Sequence, residues 1–360
     1  MYIDLLPCIT WKWLKMNGTE VDMPLNASAL SFALPAGWKA DETAAPGSSI
    51  DARSNAAIEK ALFSDEIVSG TGPDFDRLIK DTNTPVYKLT AAEGTLVIEN
   101  RYKDGDAVLS AVEINVPDGV SATVIEKFYS DEGISAKAGF QTKVHIGKGA
   151  SLKLIQVQHL SDKADFINDI GTFHEEKGSF ELVEAIVSGG RTYFGSRSNM
   201  AGRESSLKLD MAYIVKGRER LESNVAAFQR GKGTDSRIDI KGVLKDEAYK
   251  LTKATIDFKT GSAGSVGSET EDVLMMSDNV VNQSVPLILC TEEDVEGVHG
   301  ATLGKPAAEV LTYMKSRGLD EASVYEMMEK ARIEALCSLI DDEGTVSEIR
   351  TFLHGTSEEE

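Results

Sequence analysis

The sequence predicts a mainly β protein with a helical C-terminus, and three observations carry that expectation. Short runs of alternating or β-branched residues fill the middle of the chain. Those runs return at a spacing near 28 residues. After Gly304 the apolar spacing changes from strand-like to helical.

The strand-rich region covers residues 86–304. Runs such as Thr95-Leu96-Val97-Ile98-Glu99, Lys143-Val144-His145-Ile146 and Arg237-Ile238-Asp239-Ile240 are separated by Gly, Asp, Asn and Lys turns. Leu152, Phe180, Leu207 and Ile238 each follow a polar turn, and their intervals are 28, 27 and 31 residues. Stacked coils produce a period of this size, because one coil exposes an apolar edge that only its neighbours bury. Too few helical segments interrupt the region for a βαβ sheet. The pattern alone leaves a parallel β-helix, a β-sandwich and an irregular antiparallel barrel open.

Residues 1–85 read as a mixed, partly helical N-terminal region. Phe75 and Ile79 have helical spacing, as do the apolar residues of 56–63, and 34–55 reads as a long Ala-, Gly-, Ser- and Asp-rich connection. Trp11 and Trp13 read as packing or docking residues. Residues 305–360 read as helical. Pro306 suits a helix start, Val310, Leu311 and Met314 share a face before Arg317, and Gly318 suits a C-terminal cap. Asp320 suits the N-cap of a second helix with apolar positions Val324, Met327, Met328, Ala331, Ala335 and Leu336. Gly344 then separates a short last helix near 347–353. Such an end caps a solenoid or docks a partner.

Composition narrows the function classes. A net charge of −20 and a pI near 4.8 argue against nucleic acid, whose phosphates need a concentrated basic surface. No run of about 18 apolar residues exists to cross a membrane. Asp4, Lys12 and Lys15 interrupt any signal-type core, so a cytoplasmic location is expected. Cys8, Cys290 and Cys337 are far apart and form no Cys-x-x-Cys pair, which suggests reduced thiols. The acidic end 357–360 reads as solvated.

Enzyme signatures are missing. There is no Gly-rich loop ending in Gly-Lys-Ser/Thr, no Gly-x-Ser-x-Gly and no His-Glu-x-x-His. The Gly/Ser-rich stretch 261–267 reads as a turn, and the acidic clusters 269–272 and 292–294 read as solvated turns. A polysaccharide-active β-helix enzyme would need a constellation of carboxylates that the sequence does not isolate.

One stretch adds a different kind of information. Met275-Met276-Ser277-Asp278-Asn279, Ser284-Val285-Pro286, Glu293-Asp294-Val295 and His299-Gly300-Ala301-Thr302-Leu303-Gly304 follow one another in an order that resembles the C-terminal core of the SufB/SufD family. Leu311 to Leu319, with its Ser-Arg-Gly ending, looks like a helix of that family. Lys241-Gly242-Val243-Leu244-Lys245-Asp246 is similar to one of its strands. The likeness is strong over 189–318 and diffuse before it.

The resemblance implies a right-handed parallel β-helix over 86–304, with a small N-terminal region at 1–85 and a C-terminal helical region at 305–360. It implies a non-enzymatic scaffold of the SUF iron–sulfur cluster assembly machine, working with the ABC-type ATPase SufC. ATP hydrolysis would then belong to that partner. A SufB-like subunit or a second copy of this chain would be the other partner. In the SufB branch a cysteine and a Glu-His-Glu run are implicated in cluster building. The matching positions here are Val280 and Val298-His299-Gly300, so only the histidine is kept. The SufD branch reads Cys-Ser-His-Gly-Ala-Thr where this chain has Gly297-Val298-His299-Gly300-Ala301-Thr302. His299 is therefore the candidate ligand for a transient cluster, and Cys290, nine residues upstream, is a weaker one. Cys337 reads as packing. Val310, Leu311, Met314, Arg317, Met327 and Met328 are the expected ATPase-docking residues. A solenoid with no metal role is the competing non-enzymatic reading.

Overall fold

From residue 94 to residue 304 the chain repeats one unit of strand, turn, strand and turn. The computed structural model describes residues 1–8, 14–41 and 67–354. In the N-terminal region β1 (Tyr2–Ile3) and β2 (Thr19–Glu20) form an antiparallel pair, and β3 (Asn26–Ala27) and β4 (Lys39–Asp41) join the margin of a larger sheet. Helix α1 (Pro73–Asp81) buries Phe75 and Ile79, as their spacing predicts. The run at 10–13, residues 42–55 of the expected connection, the segment 56–63 and the end 357–360 lie outside the described residues.

The solenoid strands are β5 (Val86–Thr90), β6 (Gly94–Tyr102), β7 (Ala107–Val116), β8 (Ser121–Ser130), β9 (Lys137–Ile146), β10 (Ser151–His159), β11 (Asp165–His174) and β12 (Ser179–Ser188). They continue as β13 (Arg191–Met200), β14 (Ser206–Val215), β15 (Arg220–Gln229), β16 (Asp235–Leu244), β17 (Tyr249–Phe258), β18 (Ser265–Met275), β19 (Val281–Cys290) and β20 (Val295–Gly304). Even-numbered strands from β6 to β20 form one parallel sheet. Odd-numbered strands from β5 to β19 form the other, with β4 added antiparallel at its start. The central region is a parallel β-solenoid, which removes the sandwich and the antiparallel barrel.

Register explains the sequence period. Leu152 stands beside Phe180, and Phe180 beside Leu207, as aligned from the sequence. Leu207 then stands beside Ser236, while Ile238 pairs with Leu209, so the last interval is 29 residues and not 31. A two-residue slip leaves every side chain on its own face, so apolar alternation does not reveal it.

The two sheets enclose a continuous core. Phe128 packs against Phe140 and Phe166 with ring centroids 5.1 and 4.8 Å away. Gly242 has a steric reason: a Cβ there would fall 2.0 Å from the ring of the buried Tyr213. The interior is not wholly apolar. Glu126, Gln156 and Glu184 occupy consecutive rungs of one inward column and are all fully buried.

Three helices follow: α2 (Ala308–Ser316), α3 (Glu321–Cys337) and α4 (Glu343–His354). Ile333, Leu336, Cys337, Ile340, Val346 and Ile349 cover the outer face of the even sheet at Ile125, Ile155, Val183 and Ala212. Glu348 fastens the packing by accepting from Lys127 Nζ and Tyr129 Oη, both at 2.7 Å. Burial pushes the Cys337 thiol up to about 11, so this cysteine is a packing residue. Asp320 caps α3 by accepting from Ser323 N at 2.7 Å, and Gly318 takes φ +91° after α2, both as expected.

Two helical details differ from expectation, and burial sorts the apolar positions of α3. Pro306 precedes the cap, Ala307, and is not the first helical residue. Gly344 lies inside the first turn of α4, where Asp342 accepts from Thr345 N at 2.7 Å and makes a glycine break unnecessary. The buried face of α3 carries Val324, Ile333, Leu336 and Cys337, leaving Met327, Ala331 and Ala335 exposed.

Candidate site at the open end of the solenoid

Each inner strand of the solenoid is flanked on both sides, but β19 and β20 pair on one side only. Burial changes accordingly. All of β17 after its first residue is buried, whereas no residue of β20 is. Val298 is 55% exposed, and Val281 and Leu303 are also open to solvent. The last coil is therefore an uncovered apolar and polar cross-section of the core.

Alternation decides what this opening presents. In β18, Gly267, Glu269, Glu271 and Val273 are buried, while Val266 and Thr270 are exposed. Their partners on β20 are Gly297, His299, Ala301 and Leu303, so His299 stands on the inward face directly above Glu269. Below it lies a charged floor. Lys250 Nζ is paired with Glu271 Oε1 and also donates to Asn282 Oδ1 at 3.2 Å and Ser284 Oγ at 3.0 Å. Ser284 Oγ donates to Glu271 Oε2 at 2.5 Å.

Burial sets the electrostatics. It lowers the Lys250 ammonium below its usual range, against the pull of Glu271. It raises Glu269 to about 7, and the nearby charge of Glu271 adds to the rise.

The two sequence-derived ligand candidates share the last coil without converging. Cys290 ends β19, stands on Phe258, is exposed, and donates its thiol to Glu292 O at 2.7 Å. A Cβ on Gly297 would meet Phe258 at 3.0 Å and Ile288 at 3.2 Å, so β20 comes close to the odd sheet there. Among the described residues no group of three or more His, Cys, Asp or Glu side chains is placed to hold a metal ion. One chain thus offers an imidazole and a separate thiol, an incomplete donor set for a four-coordinate iron site.

Glu269, Glu271, Lys250 and Ser284 were not singled out by sequence reasoning. The cluster at 269–272 is strand β18 and not a solvated turn: Glu269 and Glu271 point into the core, and Thr270 and Asp272 point away. The cluster at 292–294 is a turn, as expected, with Glu292 accepting from Gly261 N at 2.9 Å. The stretch 261–267 is a turn that runs into β18 at Ser265.

The expected docking residues lie beyond the opening. Helix α2 buries none of its residues. Val310, Arg317 and Met327 are exposed, Leu311 and Met314 are half-buried, and Met328 packs partly against the cluster beneath α3. Arg317 covers the ring of the exposed Tyr313 at 5.1 Å. A surface cavity of about 470 Å³ lies elsewhere, beside His159, Lys163, Lys216 and Glu219.

The fold is thus a parallel β-solenoid whose last coil is uncovered, with helices folded back on the flank of its even sheet. The family model described as SUF system FeS cluster assembly, SufBD core domain, matches residues 98–332, and the chain belongs to that family. It is 23% identical over 215 residues to the iron–sulfur cluster assembly protein SufD of Bacillus subtilis (strain 168), covering 59% of this chain and 49% of the relative. It is 20% identical over 237 residues to the SufD protein of Escherichia coli (strain K12), covering 66% and 56%. A SufBD family protein of Staphylococcus epidermidis (strain ATCC 12228 / FDA PCI 1200) is 20% identical over 222 residues, covering 61% and 46%. The chain spans about half the length of the curated relatives it matches. Among the described residues no helix is long and apolar enough to cross a membrane.

Proposed function

We propose that this chain is a non-catalytic scaffold on which iron–sulfur clusters are built transiently, at a site completed by a second scaffold subunit against the open coil. The observation that carries the reading is His299, in register on the inward face of an uncovered coil whose own donors are too few. A partner placed against β19 and β20 would bury Val281, Val298 and Leu303 and bring further ligands to the imidazole. That partner is a SufB-like subunit or another copy of this chain. The cluster is cargo here, formed and passed on, in a cytoplasmic setting.

A SufC-like ABC ATPase is the energy source in this reading, and α2 with the start of α3 is its docking surface. The exposed Val310, Tyr313 and Met327 supply apolar anchors, and Arg317 a charged one. Helix α2 contacts α3, and α3 touches β12, β14 and β16 of the even sheet, whose last strand is β20. Closure of the ATPase would reach the open coil as a rigid-body displacement along that route.

Co-expression with the ATPase tests the docking. Val310→Asp combined with Met327→Asp is expected to weaken co-purification at least ~10-fold, since losing an interface anchor typically costs more than 1 kcal/mol. The thermal midpoint should hardly change, because both side chains are exposed. Undiminished co-purification would move the docking surface away from α2. Point variants are preferable to truncation after Gly304, which would also uncover Ile125, Ile155 and Val183.

A further inference from the structure

We infer that Glu269 is the positioning residue for His299: its carboxylate accepts a hydrogen bond from one imidazole nitrogen and leaves the other directed out of the open coil toward an arriving metal ion. The inference rests on the reading of His299 as a ligand and adds the group that orients it.

Three observations carry it. Glu269 and His299 are register partners on adjacent parallel strands and share the inward face, about 4.8 Å apart at the backbone. Neither side chain is held by a hydrogen bond or an ion pair with another described residue, so each is available to the other. Their exposures divide the roles: Glu269 is 4% exposed and sits behind the ring, whereas His299 is open to solvent. An ion coming from the open end meets the imidazole first.

The surroundings also favour this pairing. Lys250, whose charge acts on Glu269, is already engaged by Glu271, Asn282 and Ser284. The carboxylate of Glu269 is therefore not consumed by an ion pair of its own. In this conformation Glu269 and His299 make no hydrogen bond, and the rung spacing puts one within reach of a side-chain rotamer change. Histidine ligands generally have the second nitrogen fixed by a carboxylate or carbonyl, which sets the tautomer.

Cobalt(II) titration of the full chain co-purified with its scaffold partner tests the assignment, using binding and the visible spectrum of the bound ion. Glu269→Gln keeps the volume and burial of the side chain, and a thermal melt checks that it folds. It is expected to weaken Co²⁺ binding ~10- to 100-fold, the usual effect of losing an orienting partner. His299→Ala should abolish the site, and the double variant should be no worse than His299→Ala alone. Nitrogen-15 spectra of labelled histidine at about pH 8.5, where imidazole is neutral, supply a readout that general loosening would not mimic. They should show one His299 tautomer in the wild type and a mixture in Glu269→Gln.

If His299→Ala loses Co²⁺ while Glu269→Gln binds as the wild type with an unchanged tautomer, the positioning role fails and the ligand reading stands. If His299→Ala binds as tightly as the wild type, or the wild type binds no Co²⁺, the ligand reading fails and takes the inference with it.

Discussion

Lys250→Met is expected to destabilise the protein by about 3–5 kcal/mol, as for the loss of one partner from a buried ion pair. Lys250 and Glu271 are both buried, and their contact joins the odd and even sheets beneath the open coil. Removing the ammonium strands Glu271 beside a second buried carboxyl, Glu269. Met restores the volume but not the charge. The double variant Lys250→Met/Glu271→Leu should recover most of the loss, because no charge is then left in the core. Ser284 and Asn282 lose a partner in that variant, but both are half-exposed and can turn to water. Urea unfolding of the single and double variants checks this. Equal destabilisation in the two would show that the pair is not the cause. Hydrogen exchange should place the single variant's loosening in β17–β20 first.

The second large effect is on pH dependence. Burial raises Glu126, Glu113 and Glu219 to about 7 and Asp169 to about 6, and it raises Glu184 well above the usual carboxylate range. For each, the folded state holds its proton more tightly than the unfolded state does. Stability from these groups is fully present below the unfolded values near 4 and is lost as pH rises through the folded values. His174 acts in the opposite sense. Burial lowers it from 6.5 to about 3, so its contribution is lost as pH falls below 6.5. One histidine against several carboxyls sets the optimum at mildly acidic pH, near pH 5, with a decline toward pH 8.

Glu126 isolates the effect. Its carboxyl accepts from Thr142 Oγ1 at 2.9 Å and from Gln156 Nε2 at 2.5 Å, deep inside the solenoid. Each tenfold change in proton affinity is worth about 1.4 kcal/mol, so ionising Glu126 in place costs roughly 3 kcal/mol. Glu126→Gln should therefore raise the denaturation midpoint at pH 8 and leave it nearly unchanged at pH 5. Parallel pH profiles for wild type and variant would refute the assignment.

Particular residues show how far the sequence could be read. The period from Leu152 through Phe180 to Leu207 is the true register, because each coil must place an apolar residue on its neighbour. The slip at Ile238 escaped since period-2 patterning is blind to even shifts. Glu269 and Glu271 were misread because acidic residues two apart look like a solvated turn. Only the buried Lys250, contributed by the other sheet, makes an inward carboxylate tolerable, and that contact is invisible in one linear stretch. Which apolar residues of α3 are covered was not legible for a related reason: Met327, Ala331 and Ala335 are exposed, whereas Val324, Ile333 and Leu336 are buried. The apolar residues of α3 run around much of its circumference, and the even sheet decides which of them are covered. His299 was legible as a candidate from its neighbours in sequence, whereas its partner Glu269 became visible only through strand register.

The central claim is that the open coil presents His299 to a shared iron–sulfur site. The most direct measurement is anaerobic reconstitution, with iron and sulfide, of the complex co-purified with its scaffold partner and ATPase. Iron and sulfide content and the visible spectrum would be read for wild type and His299→Ala. The account predicts a cluster chromophore in the wild-type complex and its loss, with intact subunit assembly, in His299→Ala. A wild-type complex without a chromophore, or a His299→Ala complex that carries the same cluster, would contradict it.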